Sequence, residues 1–431
     1  MNYKYLFSIV FFIINMNIHA NYILSGYKTD TISKNIVTND SVLLDSVSWE
    51  TDNDSVLIDS ISWETDIEQT LNNIVNNDKL SNTTSIGMQV WDLTNDKPIF
   101  NYNEKTRLRP ASTMKCITSI VALDKLGSDY KFHTSIYYSG TLVDSVNTLY
   151  GDIYCVGGMD PLLTNNTINE IVDSIKALGI NLITGNIYAD LSFKDKKDFG
   201  RGWCWDDKNP CLSPLQINCK DDFVSVLYQK LLDNNIKIDG TPCEKQLPTN
   251  ATLIIDITHP LSKVMIPMMK YSNNYYAESI FYQLAAISKR PFATAVKARK
   301  EIYHLIRKLE LNPKDYNIAD GSGLSLYNYL TPELEVRFLR YAYNNLHIYQ
   351  YLLPTLPIAA KDGTLRKRLR NTPAAYKIYA KTGTLFGVSS LAGYAMASNG
   401  RQLCFSIIIN GSINNQIMKN FQDKICIALC E

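Results

Sequence analysis

The sequence predicts an α+β protein in which one helix-flanked sheet is assembled from both ends of the chain and a second α+β unit is inserted between them. Two observations carry this. Near each end a helical stretch lies beside two alternating strands: SIGMQVWDL with PIFNYN from Ser85, and SSLAGYAMA with QLCFSIIIN from Ser389. Between them, KFHTSIYYSG, TLYGDIYCVGG, INEIVDSIKALG and LITGNIYADL read as strand, strand, helix and strand.

Globular sequence begins near Ile67, where a helical pattern leads into the first strand pair, which turns at Thr94-Asn95-Asp96. RPASTMKCITSIVALDKLG, residues 109–127, follows as a helix. Pro110 suits a helix entry, Ser112 an N-cap or first turn, and Gly127 a stop. Met114, Ile117, Val121 and Leu123 form its buried side. Ser398-Asn399-Gly400 marks the last hairpin, and a terminal helix is expected from about Gln416.

At 431 residues, 45% hydrophobic, the chain suits one large domain with an insertion, or two to three domains. Residues 1–20, with Lys4 ahead of an apolar run and Ala20 before a plausible cleavage point, read as a secretory signal peptide; an uncleaved anchor is the alternative. Loss of Lys4 with that leader takes the formal charge from +1 to 0, which argues against a nucleic-acid partner. The nine cysteines are an odd number for an exported chain, and Cys204, Cys211 and Cys219 are close enough to cross-link a loop. Zinc is the competing reading, but no cysteine pair has the spacing and histidine partners of a zinc site. Residues 21–67 carry a duplication, DSVLLDSVSWETD from Asp40 and DSVLIDSISWETD from Asp54, and their Asp, Ser and Thr content suits an extended tether.

Ser112 and Lys115 lie one helical turn apart on one face. Either the serine caps the helix while the lysine lies on its surface, or the pair is a nucleophile and its base. The second reading requires a neutral lysine, hence desolvation and a second cation nearby. None of His133, His259, His304 and His347 has a recognisable acid–base context. The candidate cation is Lys381 in IYAKTGTLFGV, where Thr382 and Thr384 offer hydroxyls suited to a carboxylate and Gly383 lets a substrate backbone lie close. In KYSNNYYAESI, Ser272 could pass a proton from Lys115 to a leaving group and Asn274 could bind a substrate amide.

The series SxxK, SxN and KTG resembles the penicillin-binding proteins and related β-lactamases. GDIYCVGGMDPLLT, GWCWDD, DGSGLSLYNYLTP and KDGTLRKRL, in that order, narrow the resemblance to D-alanyl-D-alanine carboxypeptidases of the penicillin-binding protein 4 type, from about residue 68 to nearly the end. The resemblance implies a transpeptidase-like catalytic domain, an antiparallel sheet flanked by helices, from residues 68–137 and 246–431. Only residues 116–271 separate the first two motifs, where longer relatives nest two domains; one inserted domain, residues 138–245, is therefore expected. Leu326 stands where DGSGLSR is usual.

The resemblance further implies that Ser112 attacks the carbonyl between two terminal D-alanines of a peptidoglycan stem peptide, with Lys115 as base and Ser272 as proton relay. Asn274 would bind the peptide, and Thr382 and Thr384 would hold the terminal carboxylate near Lys381 and Gly383. The amides of Ser112 and Thr384 would form the oxyanion hole. β-Lactams would acylate the same serine, endopeptidase action would use the same site, and no metal or organic cofactor is implied. A β-lactamase and a catalytically silent wall-binding protein are the rival readings.

Overall fold

The computed structural model describes residues 52–207, 210–286 and 292–431. Helix α1 (Asp52–Asn77) leads to β1 (Ser85–Asp92), β2 (Lys97–Tyr102), a 3-10 turn over Ala111–Thr113 and α2 (Met114–Leu126). The chain then runs through β3 (Lys131–Val143), β4 (Thr148–Val156), α3 (Asn165–Ala177), β5 (Leu182–Ile183), β6 (Ile187–Asp190), β7 (Gln216–Ile217), β8 (Asp221–Asp222), α4 (Phe223–Asp233), β9 (Lys237–Ile238), β10 (Pro242–Glu244) and β11 (Thr252–Pro260). Helices α5 (Leu261–Lys270), α6 (Asn274–Ala286), α7 (Ala295–Lys308), α8 (Pro332–Tyr343) and α9 (Leu346–Leu352) follow. The last elements are β12 (Ile378–Leu385), β13 (Val388–Met396), β14 (Gln402–Asn410) and α10 (Asn415–Cys430).

The catalytic sheet is antiparallel and ordered β12-β13-β14-β1-β2, so the two ends of the sequence meet where β1 pairs with β14 along its whole length. Side chains alternate across the sheet. On β14, Leu403, Phe405, Ile407 and Ile409 join one core with α1 and α10, while Cys404 joins the other, formed by α2 and α5–α9. α2 lies at the centre of that second core, and Met114 to Leu123 are all buried, Lys115, Thr118 and Ser119 included.

The second sheet is built from residues 131–260, ordered β10-β6-β4-β3-β11, with α3 and α4 covering its core. Its edges lie outside the expected 138–245 boundary. β3 and β11 pair from Lys131–Pro260 to Tyr138–Thr252 and so leave the catalytic sheet's helices as a two-stranded neck. Sequence pattern places the strands but does not say at which residue the inserted unit leaves its host.

The tether expectation needs correction. The second copy of the repeat, from Asp54, lies in α1 and is not extended. Within the compact unit Ile58–Glu431 its Trp63 packs against the core, with the Arg401 guanidinium 5.0 Å from the indole centre. Arg401 bridges Glu64 and Asp92, each at 2.7 Å, and Lys97 binds Glu64 at 2.6 Å. Within this polar segment Trp63 and Glu64 are the residues that tie α1 to Arg401 and Lys97. The signal peptide and the first repeat copy, up to Thr51, lie outside the described residues. Among the described residues, no helix is long and apolar enough to cross a membrane.

Cys116, Cys155, Cys404, Cys426 and Cys430 are buried thiols, and Cys211 and Cys219 are not joined to each other. The Asp92 side chain is fully buried, so Arg401→Ala strands a carboxylate whose other partners are Asn95 and the Thr94 and Asn95 amides. A loss of about 3 kcal/mol is expected, read as a lowered urea midpoint.

Candidate active site

Ser112 sits in the 3-10 turn ahead of α2 and makes no capping hydrogen bond, so the cap reading fails. Two motif glycines fix that turn. Ala111, the residue before the serine, has φ +49°, a conformation costly for a residue with a β-carbon. Gly323, at φ +80°, lies so close that a β-carbon there would be 1.8 Å from the Ala111 carbonyl oxygen. From the other side, a β-carbon on Gly383 would lie 2.1 Å from Ser390 Oγ, 2.7 Å from the Pro110 oxygen and 2.9 Å from the Ser112 nitrogen. Gly383 therefore gives room to the nucleophile's own turn, which differs from the substrate clearance expected of it. It also brings β12 against the Ser112 amide.

Lys115 is fully buried on the first turn of α2. Its Nζ lies 2.9 Å from Ser112 Oγ, 2.8 Å from Asn274 Oδ1 and 2.7 Å from the Ser322 carbonyl oxygen. Burial lowers its pKa to about 7, against the opposing pull of Asp320 and Glu278. Desolvation is thus the principal cause, where a second cation had been expected to share the work. With one proton lost, two N–H groups still donate to Asn274 and Ser322, and the freed lone pair faces Ser112.

Lys381 is also fully buried, with a pKa held well below the ordinary lysine range by burial and then by Lys115. It donates to Ser272 Oγ at 2.8 Å and to the Thr382 carbonyl at 2.6 Å. Ser272, at φ +60°, is therefore tied to Lys381, and the lysine partner expected for it, Lys115, is held by Asn274. Thr382 donates to Thr364 at 2.8 Å, and Thr384 is exposed. The first half of β12 is covered on its outer edge by residues 357–359, through Ala359 N to Ile378 O and Ala380 N to Pro357 O. Beyond Ala380 the edge is open among the described residues.

Two buried carboxyls complete the site and carried no signal of their own in the sequence. Glu278 Oε1 accepts from the Gly321 and Ser322 amides at 3.0 and 2.8 Å, holding the turn whose carbonyl holds Lys115. Burial, then Asp320, raise its pKa to about 8. Asp320 accepts from the Gly323 and Ser325 amides, Asn328 and the Trp203 indole at 2.7–2.8 Å. GWCWDD and DGSGLS thus meet through a single carboxylate. Among the described residues no histidine bonds to Ser112 or Ser272; His259 pairs with Asp160 at 2.6 Å and His133 with Asp256 at 2.8 Å.

A serine on a helix-entry turn with a buried, deprotonatable lysine one turn on defines a serine-type acyl-transfer hydrolase. Residues 67–218 and 215–429 match the model of the D-Ala-D-Ala carboxypeptidase 3 (S13) family, and the chain belongs to that family of serine peptidases. It is similar to the D-alanyl-D-alanine carboxypeptidase DacB of Haemophilus influenzae, 25% identical over 77% of this chain and 87% of the relative. The D-alanyl-D-alanine carboxypeptidase of Actinomadura sp. is 24% identical over 80% and 81%. The crystal structure of penicillin binding protein 4 from Haemophilus influenzae shares the fold, with a TM-score of 0.74 at 22% identity over 84% of this chain and 98% of that one.

If Lys115 is the base, kcat/KM should rise with pH and level off above a midpoint near 7. A profile that is flat from pH 5 to 9 would count against Lys115 as base. Glu278→Gln keeps an acceptor for the two amides but removes a charge that raises the lysine pKa, so the midpoint should move to lower pH. Lys115→Arg should lose activity by at least 100-fold (order of magnitude), since guanidinium holds its proton.

Proposed function

We propose that the protein removes the terminal D-alanine from peptidoglycan stem peptides, and cuts peptide cross-links, through an acyl-enzyme on Ser112. The observation that carries this reading is the Lys115 geometry: a buried amine whose third hydrogen-bonding position faces the Ser112 hydroxyl. Neutral Lys115 takes the Ser112 proton as Oγ bonds to the scissile carbonyl carbon. The amides of Ser112 and Thr384 take the developing oxyanion, a contribution of roughly 3 to 4 kcal/mol per donor in comparable sites.

As the C–N bond breaks, the proton taken up by Lys115 passes by way of the Ser272 hydroxyl, which Lys381 orients, to the leaving nitrogen, and Lys115 is neutral again. Water then attacks the ester and returns the enzyme with Lys115 again as base. The peptide adds along the open outer edge of β12, as an extended segment does at a free strand edge. Asn274, whose oxygen is engaged by Lys115, retains its Nδ2 donor for a substrate carbonyl. Thr382 and Thr384 seat the terminal carboxylate, with Lys381 behind the strand. The leader at residues 1–20 supports export to the cell envelope, where such peptides occur.

β-Lactams carry a strained amide and a carboxylate in a comparable arrangement, and the similar Haemophilus influenzae protein has been solved in complex with one. Their leaving nitrogen stays tethered to the acyl group and obstructs deacylation. A fluorescent penicillin should therefore label the protein one to one, with the adduct mapped to Ser112. Ser112→Ala should lose labelling and D-alanine release while keeping its unfolding midpoint, since among the described residues the side chain bonds to Lys115 alone. Labelling that survives in the folded variant would remove Ser112 from the mechanism.

A further inference from the structure

Thr382 and Thr384 form one wall of an open cavity of about 460 Å³, completed by Thr364, Lys367, Arg368, Gln416 and Lys419. Three of its lining residues are cations and none is an acid. Arg368 is already engaged: its guanidinium binds Asp423 at 2.7 Å, Gln422 Oε1 at 3.2 Å and the Lys419 carbonyl at 3.2 Å. The ammonium groups of Lys367 and Lys419 make no ion pair among the described residues. Asp423 is held by Arg368, and Asp362 by Lys270 at 2.7 Å. The cavity thus presents two uncompensated positive charges beside the threonines of the KTG strand. A released D-alanine offers that space one carboxylate and a methyl group, and leaves both lysines without a counter-charge.

We propose that this cavity binds a second carboxylate, carried by the group released from the scissile bond, so that the protein prefers an acidic leaving residue to D-alanine. The proposal rests on the reading that Thr382 and Thr384 seat the leaving residue's main-chain carboxylate. From that seat a side chain of two methylenes extends toward Lys367 and Lys419, where each charge-assisted hydrogen bond is made in partly excluded water. Lys367 and Lys419 are then specificity-determining residues that touch the leaving group.

The test uses the full chain and three synthetic peptides, acyl-D-Ala-D-Ala, acyl-D-Ala-D-Glu and acyl-D-Ala-D-Gln, each followed by release of its terminal amino acid. The D-Glu peptide should exceed the D-Ala peptide in kcat/KM by about tenfold at low ionic strength, and the advantage should shrink as salt is raised. The neutral D-Gln peptide should show no such advantage. In the Lys367→Ala/Lys419→Ala double variant the D-Glu to D-Ala ratio should fall to near one. A wild-type ratio at or below one, with the D-Ala peptide turned over, overturns the subsite and leaves the catalytic reading standing. A preference that survives in the double variant overturns its assignment to these lysines. If no peptide is cleaved and penicillin does not label Ser112, the catalytic reading falls, and the subsite with it.

Discussion

An amine with no exposed surface is the constraint around which the rest of this structure is arranged. Lys115 can serve as a base near neutrality only if burial opposes its charge, yet a buried amine without hydrogen-bond partners would cost several kcal/mol. Three separate parts of the chain answer that requirement: Ser112 one turn back, Asn274 at the start of α6, and the Ser322 carbonyl in the loop after α7. Each supplier is itself fixed. Glu278 holds the Ser322 turn, Asp320 holds the loop on both sides of it, and Gly323 and Gly383 close on the turn that carries Ser112. The helical core around α2 keeps the amine dry, and the neighbouring strand β12 brings Lys381 to the same wall. A failure of packing anywhere in this group acts on the proton affinity of one nitrogen.

The balance has two sides. Asp320 and Glu278 pull the Lys115 pKa upward while desolvation pulls it down further, and the net result lies at about 7. Glu278 is itself raised to about 8 by burial and then by Asp320, so the two groups titrate over overlapping ranges and the charge of each acts on the other.

Ser112, Lys115, Ser272, Asn274 and the KTG strand were legible in the sequence because each motif is local and its residues project from one turn or one strand. The strand pairs at both ends were legible for a similar reason, since each is a short apolar run bounded by local turn residues. What stayed hidden depends on contacts made at long range. Asp320 and Trp203 lie in separate blocks that had no visible link, and their 2.8 Å hydrogen bond exists only in the folded chain. Glu278 looked like an ordinary helix residue until the loop from α7 came to rest on it. Trp63 and Glu64 read as tether because their composition is polar, and nothing local announces Arg401 across the sheet. Gly383 was noticed as a glycine, but the close neighbour proved to be the nucleophile's own turn, which no spacing rule could supply.

The same residue type serves opposite ends here, and burial decides which. Lys115 and Lys381 lie inside the wall, where the cost of dehydration opposes their charge, and each is useful for a hydrogen-bond geometry that depends on giving up or sharing a proton. Lys367 is exposed and Lys419 half-buried on the far side of the same strand, where water can support an ammonium ion. β12 is the partition between the two environments: its buried residue Lys381 faces the dry side, while Thr382 and Thr384 line the cavity with the two lysines. Arginine could keep the charge of the outer pair, but no residue that stays protonated could stand in for Lys115. A single edge strand therefore separates a region where positive charge must be suppressed for chemistry from one where it is available for recognition.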